Sequence, residues 1–178
     1  MTENKRKVIT GKVRFSYANV HEPRALAEGE EATYSVALLI DKEDEKTIAK
    51  IEKAVDAAIK EGADKLKKTP KNKIKLPLRD GDEDKPDDEN YQGKLFVNAK
   101  TRQKPQIVDK DLDPIIDKAD FYSGCYGRAS VIFYAFDMNG NKGVACLLQN
   151  LQKLEDGEPF GGQSKAEDDF AEEYEDLL

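Results

Sequence analysis

The chain has 178 residues, of which 37% are charged and 38% hydrophobic, with 29 Lys and Arg against 36 Asp and Glu. This length suits one domain plus a tail, and no apolar run approaches the ~18 residues of a membrane span. One histidine and two cysteines without ligand spacing leave most zinc and nucleophilic chemistry without its parts, and no phosphate loop, nucleophile elbow or His-Glu-x-x-His pair occurs.

The net charge of −7 is unevenly spread. Residues 166–178 hold seven acids and no base, and removing them leaves 29 acids against 29 bases. A second block, Asp80 to Glu89, carries seven acids and one lysine. Outside the two blocks the net charge is +6. A mildly basic body with an acidic loop and tail points toward nucleic acid.

Residues 1–6 read as a flexible lead, polar and without the apolar core of a signal peptide. Residues 7–20 then alternate as a strand, with Ile9, Val13, Phe15 and Tyr17 on one face and Lys12 and Arg14 on the other. Gly11 marks a bend, which suits a small curled barrel. His21 follows as a loop residue with no second ligand near it. Residues 33–40 form a second strand with Tyr34, Val36, Leu38 and Ile40 inward. Asp41 or Asp44 caps a helix whose Ile48, Ile51, Val55, Ala58 and Ile59 repeat at spacings of three and four.

From Lys65 to Arg79 seven bases occur without an acid, among them Lys71 and Lys73, as suits an arm beside a phosphate backbone. Asp80, Asp82 and Asp84 imitate a calcium loop, but Lys85 replaces the required glycine and Tyr91 the closing glutamate, so that motif fails. The same three acids leave a magnesium-dependent nuclease as an alternative. In the strand 93–100, Leu95, Val97 and Ala99 share one face and Lys94, Phe96, Asn98 and Lys100 the other. An aromatic between lysines suits backbone tracking with base stacking, and Arg102 extends the basic run.

Six of the fourteen aromatics fall in 121–136. Cys125, Ala129, Val131, Phe133 and Ala135 alternate with Tyr126, Arg128, Ser130, Ile132, Tyr134 and Phe136. Either the second set is an open stacking face or the strand is buried on both sides. Asn139-Gly140 signals a tight hairpin into a strand over 142–154. Both cysteines sit in apolar strand patterns and read as buried thiols of a reducing cytosol. In the tail, Phe170, Tyr174 and Leu177 or Leu178 would line one side of a helix induced by a partner; alone, so acidic a segment stays disordered.

The runs Val8-Ile-Thr-Gly-Lys-Val-Arg-Phe-Ser-Tyr, Leu76-Pro-Leu-Arg-Asp-Gly-Asp, Phe121-Tyr-Ser-Gly-Cys-Tyr-Gly-Arg-Ala-Ser and Asn139-Gly-Asn-Lys-Gly-Val-Ala resemble a family of bacteriophage single-stranded DNA-binding proteins. The resemblance implies a mainly β fold, an oligonucleotide-binding (OB) five-stranded antiparallel Greek-key barrel over 7–160, with one inserted amphipathic helix and an acidic tail over 161–178. It is similar to the single-stranded DNA-binding proteins of short-tailed coliphages, whose acidic tails also carry an aromatic residue. Here Phe170 and Tyr174 stand back from a Glu-Asp-Leu-Leu end.

The expected function is non-enzymatic single-stranded DNA binding in phage replication and recombination, in the host cytoplasm, with no cofactor, no metal and no membrane. The stacking candidates are Phe96, Tyr126 and Tyr134. The phosphate candidates are Lys12, Arg14, Lys71, Lys73, Lys94, Lys100, Arg102 and Arg128. Phe170, Tyr174, Leu177 and Leu178 are the candidate contacts for replication or recombination proteins, and a second copy of the chain is a candidate partner. A different alternative is an acidic module that mimics DNA and binds protein.

Overall fold

The computed structural model describes residues 4–25 and 28–160, so Phe170, Tyr174, Leu177 and Leu178 lie outside the described residues. The elements are β1 (Lys7–Ile9), β2 (Val13–Arg24), β3 (Thr33–Asp41), α1 (Glu45–Glu61), β4 (Arg79–Asp80), α2 (Gly81–Asp84), β5 (Lys94–Thr101), β6 (Gln106–Val108), β7 (Tyr126–Met138) and β8 (Asn141–Glu155). Strands β2, β3, β5, β8 and β7 pair in that order, and β7 pairs back onto β2, which closes a five-stranded barrel. Strand directions cannot alternate all the way round a ring of five. The β5–β8 pair is accordingly parallel and the other four are antiparallel, a refinement of the all-antiparallel expectation.

Alternation places the core. Val36, Leu38 and Ile40 of β3, Val97 and Ala99 of β5, and Ala129, Val131, Phe133 and Ala135 of β7 all point into one buried cluster. The two-faced reading of β7 therefore resolves as one core face and one half-exposed face. Asn139 and Gly140 both take positive φ (55° and 88°) between Met138 and Asn141, the type I′ geometry that an Asn-Gly hairpin favours. Helix α1 starts where the Asp44 carboxylate accepts from the Thr47 N–H, and it buries Ile51, Ala54, Val55 and Ala58 against the barrel. At its end Gly62 meets β7 so closely that a Cβ there would lie 2.3 Å from Ala135 Cβ.

The first strand breaks more sharply than a bend. Thr10, Gly11 and Lys12 separate β1, which pairs with β7, from β2. This interruption reverses the parity expected at Ile9, which is exposed while Val8 is buried. His21 lies in β2, where its Nε2 is 2.8 Å from the Phe121 carbonyl.

A second, smaller core sits outside the barrel. Residues 79–93 fold over the outer face of β3 and β5, and their Tyr91 packs on Leu39 and Phe96. Among the described residues no helix is long and apolar enough to cross a membrane. Cys125 and Cys146 are buried and unpaired, and desolvation pushes both thiols up. The thiolate is the reactive form, so neither cysteine should react with a thiol reagent at neutral pH until denaturant is added. Rapid modification of the native protein would contradict the packing.

Candidate nucleic-acid interface

The expected site residues separate into four places. Lys100, Arg102 and Tyr134 converge on one groove of about 920 Å³. Its floor is the outer side of β8 at Leu147, Gln149 and Asn150; one wall is Tyr134 and Met138, and the other runs from Lys100 to Gln106. Glu30 and Glu31 of the β2–β3 loop also line the groove, with Glu31 beside Arg102. The sheet register explains the arrangement. Tyr134 faces Ala145, Ile132 faces Leu147, and Lys100 pairs with Leu147 from the other side, so a ring on β7 and a cation on β5 flank the same stretch of β8.

Small residues next to this point let the lysine-rich arm pack closely on β8. Ala145 lies opposite Tyr134 and Gly143 opposite Phe136. A Cβ on Gly143 would meet the Lys75 carbonyl oxygen at 2.5 Å and Phe136 Cζ at 2.9 Å. The lysine-rich arm reaches this end of β8, where the Val144 N–H donates to the Lys75 carbonyl and the Lys75 N–H to that of Lys142. Lys71 and Lys73 occupy an exposed turn of this arm, and Lys71 is paired with Asp56 at 2.8 Å. The arm's backbone thus joins β8 beside the Tyr134 wall, but Lys71 and Lys73 do not line the groove.

Arg102 is paired with Glu31 at 3.2 Å, and both side chains are mostly exposed. Exposed pairs of this kind contribute little, ~0–1 kcal/mol, so a phosphate can replace the glutamate at small cost.

Lys12, Arg14, Tyr126 and Arg128 gather elsewhere, along the seam that holds residues 155–160. Arg14 donates from Nε to the Gly124 carbonyl and from a terminal nitrogen to that of Glu158, and it lies over the rings of Tyr126 (5.0 Å) and Phe160 (4.2 Å). Lys12 stands over Tyr126 at 5.2 Å and pairs with Glu155. Arg128 donates twice to Gln152 Oε1. These groups fasten the chain's exit from the barrel, and a base reaching the Tyr126 ring would compete with the cations already beside it.

Phe96 corrects the expectation of a stacking ring. It is 2% exposed, sealed under the cap with Tyr91 edge-on at 5.1 Å, and offers no face to a base. Lys94, on the same side of β5, is paired with Asp41.

The carboxylates of the nuclease alternative also have structural partners. Lys42 Nζ lies 2.9 Å from Asp80 and 2.7 Å from Asp82, and Arg79 binds Asp84. The Lys42 hydrogen bond holds both Asp80 and Asp82 below the usual carboxylate range, and they in turn raise Lys42. Among the described residues no group of three His, Cys, Asp or Glu side chains is placed to hold a metal ion.

A five-stranded barrel with a groove between its first and last hairpin loops is how OB folds receive oligonucleotides. The family model described as "Enterobacter phage Enc34, ssDNA-binding protein" matches residues 6–178. The chain belongs to this family. Protein p50 of Acyrthosiphon pisum secondary endosymbiont phage 1 is 31% identical over 178 residues, covering 96% of this chain and 94% of that protein.

The fold matches solved structures at low identity. The single-stranded DNA-binding protein of bacteriophage Enc34 in complex with single-stranded DNA superimposes with a TM-score of 0.72 at 23% identity, over 88% of this chain and 90% of that one. For gp2.5, the single-stranded DNA-binding protein encoded by bacteriophage T7, the TM-score is 0.63 at 16% identity, over 94% and 96%.

Within the groove, Lys104, Gln149 and Asn150 join the residues expected from sequence. Lys104 continues the basic run after Arg102. Gln149 and Asn150 carry no sequence signal, because only the β8 register brings them beside β5 and β6.

Proposed function

We propose that this chain binds single-stranded DNA without catalysing a reaction on it, and that the strand lies in the groove between the β2–β3 and β7–β8 loops. The observation that carries this reading is the convergence of Tyr134 with Lys100, Arg102 and Lys104 around one open groove of the barrel. An aromatic face stacks bases of any identity while cations meet the phosphates, which is a chemistry of coating rather than of sequence reading. Membership of the Enc34 family supports the ligand class. The setting is phage replication and recombination in the host cytoplasm.

The acidic tail completes the reading. Its seven carboxylates imitate a run of phosphates and are tethered to the groove's own chain, so they compete with DNA at high effective concentration. Once displaced, the tail offers Phe170, Tyr174, Leu177 and Leu178 to a replication or recombination protein. Deleting residues 166–178 should tighten oligo-dT binding at low salt, with a difference that fades as salt screens the tail. Weaker binding by the shortened chain would contradict autoinhibition.

The direct test is fluorescence anisotropy of labelled oligo-dT with an equal-length duplex as competitor. The strand should bind and the duplex compete poorly. No binding at low salt, with and without the tail, would overturn the reading in favour of a protein partner.

A further inference from the structure

The expectation for β2 put Tyr17 on the inner face with Val13 and Phe15, but the ring points outward and is 57% exposed. The pairing of β2 with β3 shows why. Ser16 faces Ala37 and Asn19 faces Ser35, so two residues of β2, Tyr17 and Ala18, oppose the single Val36 of β3. This is a β-bulge. Tyr17 is one of its two unpaired residues, held at φ 48° in the left-handed region that an aromatic side chain rarely adopts. Strain of this kind persists where the surroundings enforce it and collects at functional sites.

The ring stands at the edge of an open row of the barrel's outer surface. Asn19, Ser35, Lys100 and Leu147 are successive cross-strand neighbours on β2, β3, β5 and β8. The row begins beside Tyr17 and ends in the floor of the groove. The row before it is closed by the cap, where the Tyr91 hydroxyl bonds Ser16. Three strand spacings of ~4.8 Å separate β2 from β8, a span of roughly 14 Å over a short polar Ser35. Lys85 holds its ammonium 5.7 Å from the Tyr17 ring, but Asp84, Asp87, Asp88 and Glu89 line the same hollow, so what this end offers a nucleotide is the aromatic face and not a positive field.

We propose that Tyr17 is a second base-stacking platform, which takes a base of the same strand after it leaves the groove and crosses the barrel over Ser35, with the phosphates directed away from the acidic 84–89 loop. This rests on the groove reading and extends it. The bulge turns the ring out of the core, and the strain in the backbone is the structural cost of that presentation.

The test compares oligo-dT of about 4 nucleotides with one of about 16, the limits for a single OB fold, on the full chain and on folded variants checked by circular dichroism. Tyr17→Ala should weaken binding of the long strand by roughly 5- to 150-fold and leave the short strand within twofold. Tyr17→Gly removes the ring and also relieves the backbone, so its fold is more stable while the long-strand loss remains. Tyr17→Phe, which keeps the ring, should restore long-strand affinity. Undiminished long-strand binding by both Tyr17→Ala and Tyr17→Gly, alongside a loss in Tyr134→Ala, overturns the second platform and leaves the groove standing. Undiminished binding by Tyr134→Ala overturns both.

Discussion

Tyr134→Ala should weaken oligo-dT binding by ~1–3 kcal/mol, the range measured for one stacking ring, with little change in stability. The side chain is only half-buried on the outer face of β7, opposite Ala145, and its removal leaves the inward Phe133 and Ala135 untouched. Tyr126→Ala provides the contrast. Its ring carries Arg14 and Lys12, so the expected loss is a loosened 155–160 segment, read as earlier proteolysis there, with oligo-dT affinity changed less than by Tyr134→Ala. If the two variants lose binding in the opposite order, the strand runs along the seam and the groove is wrongly placed.

Phe96→Ala should lower stability by ~3–5 kcal/mol, as expected for a large buried ring replaced by alanine. The ring fills the space between Leu39, Tyr91 and the barrel wall, and the Arg79–Asp80 strand that covers it pairs directly at Phe96 and Leu95. Urea denaturation would register this as a lower midpoint. The folded variant should still bind a short oligo-dT as the parent does, since Lys100, Arg102 and Tyr134 are elsewhere. A stable variant with impaired short-strand binding would mean that the cap is open and Phe96 stacks a base.

Much of the architecture was legible in the residue pattern. The odd positions of 129–135 are the core face of β7, the three-four spacing of Ile51, Val55 and Ala58 is the buried stripe of α1, and Asn139-Gly140 is the hairpin turn. The site was legible only in part, and for physical reasons. A strand's alternate face looks the same in sequence whether water or another part of the chain covers it, and the Phe96 face is covered by residues 79–93. Alternation also assumes an uninterrupted register. The break at Thr10–Lys12 exposed Ile9, and the bulge turned out Tyr17. Arg14 shows a third limit, because a guanidinium destined for backbone carbonyls and one destined for phosphates are the same residue until the fold supplies its neighbours.

The placement of the strand is tested most directly by the salt dependence of binding in a Lys100→Ala/Arg102→Ala/Lys104→Ala variant. For single strands, log K falls with log salt by ~0.7 per phosphate neutralised. Loss of three phosphate contacts should therefore make the slope shallower by about 2 relative to the full chain, with weaker binding at low salt. An unchanged slope would show that the phosphates are neutralised elsewhere and would contradict the groove as the path of the DNA.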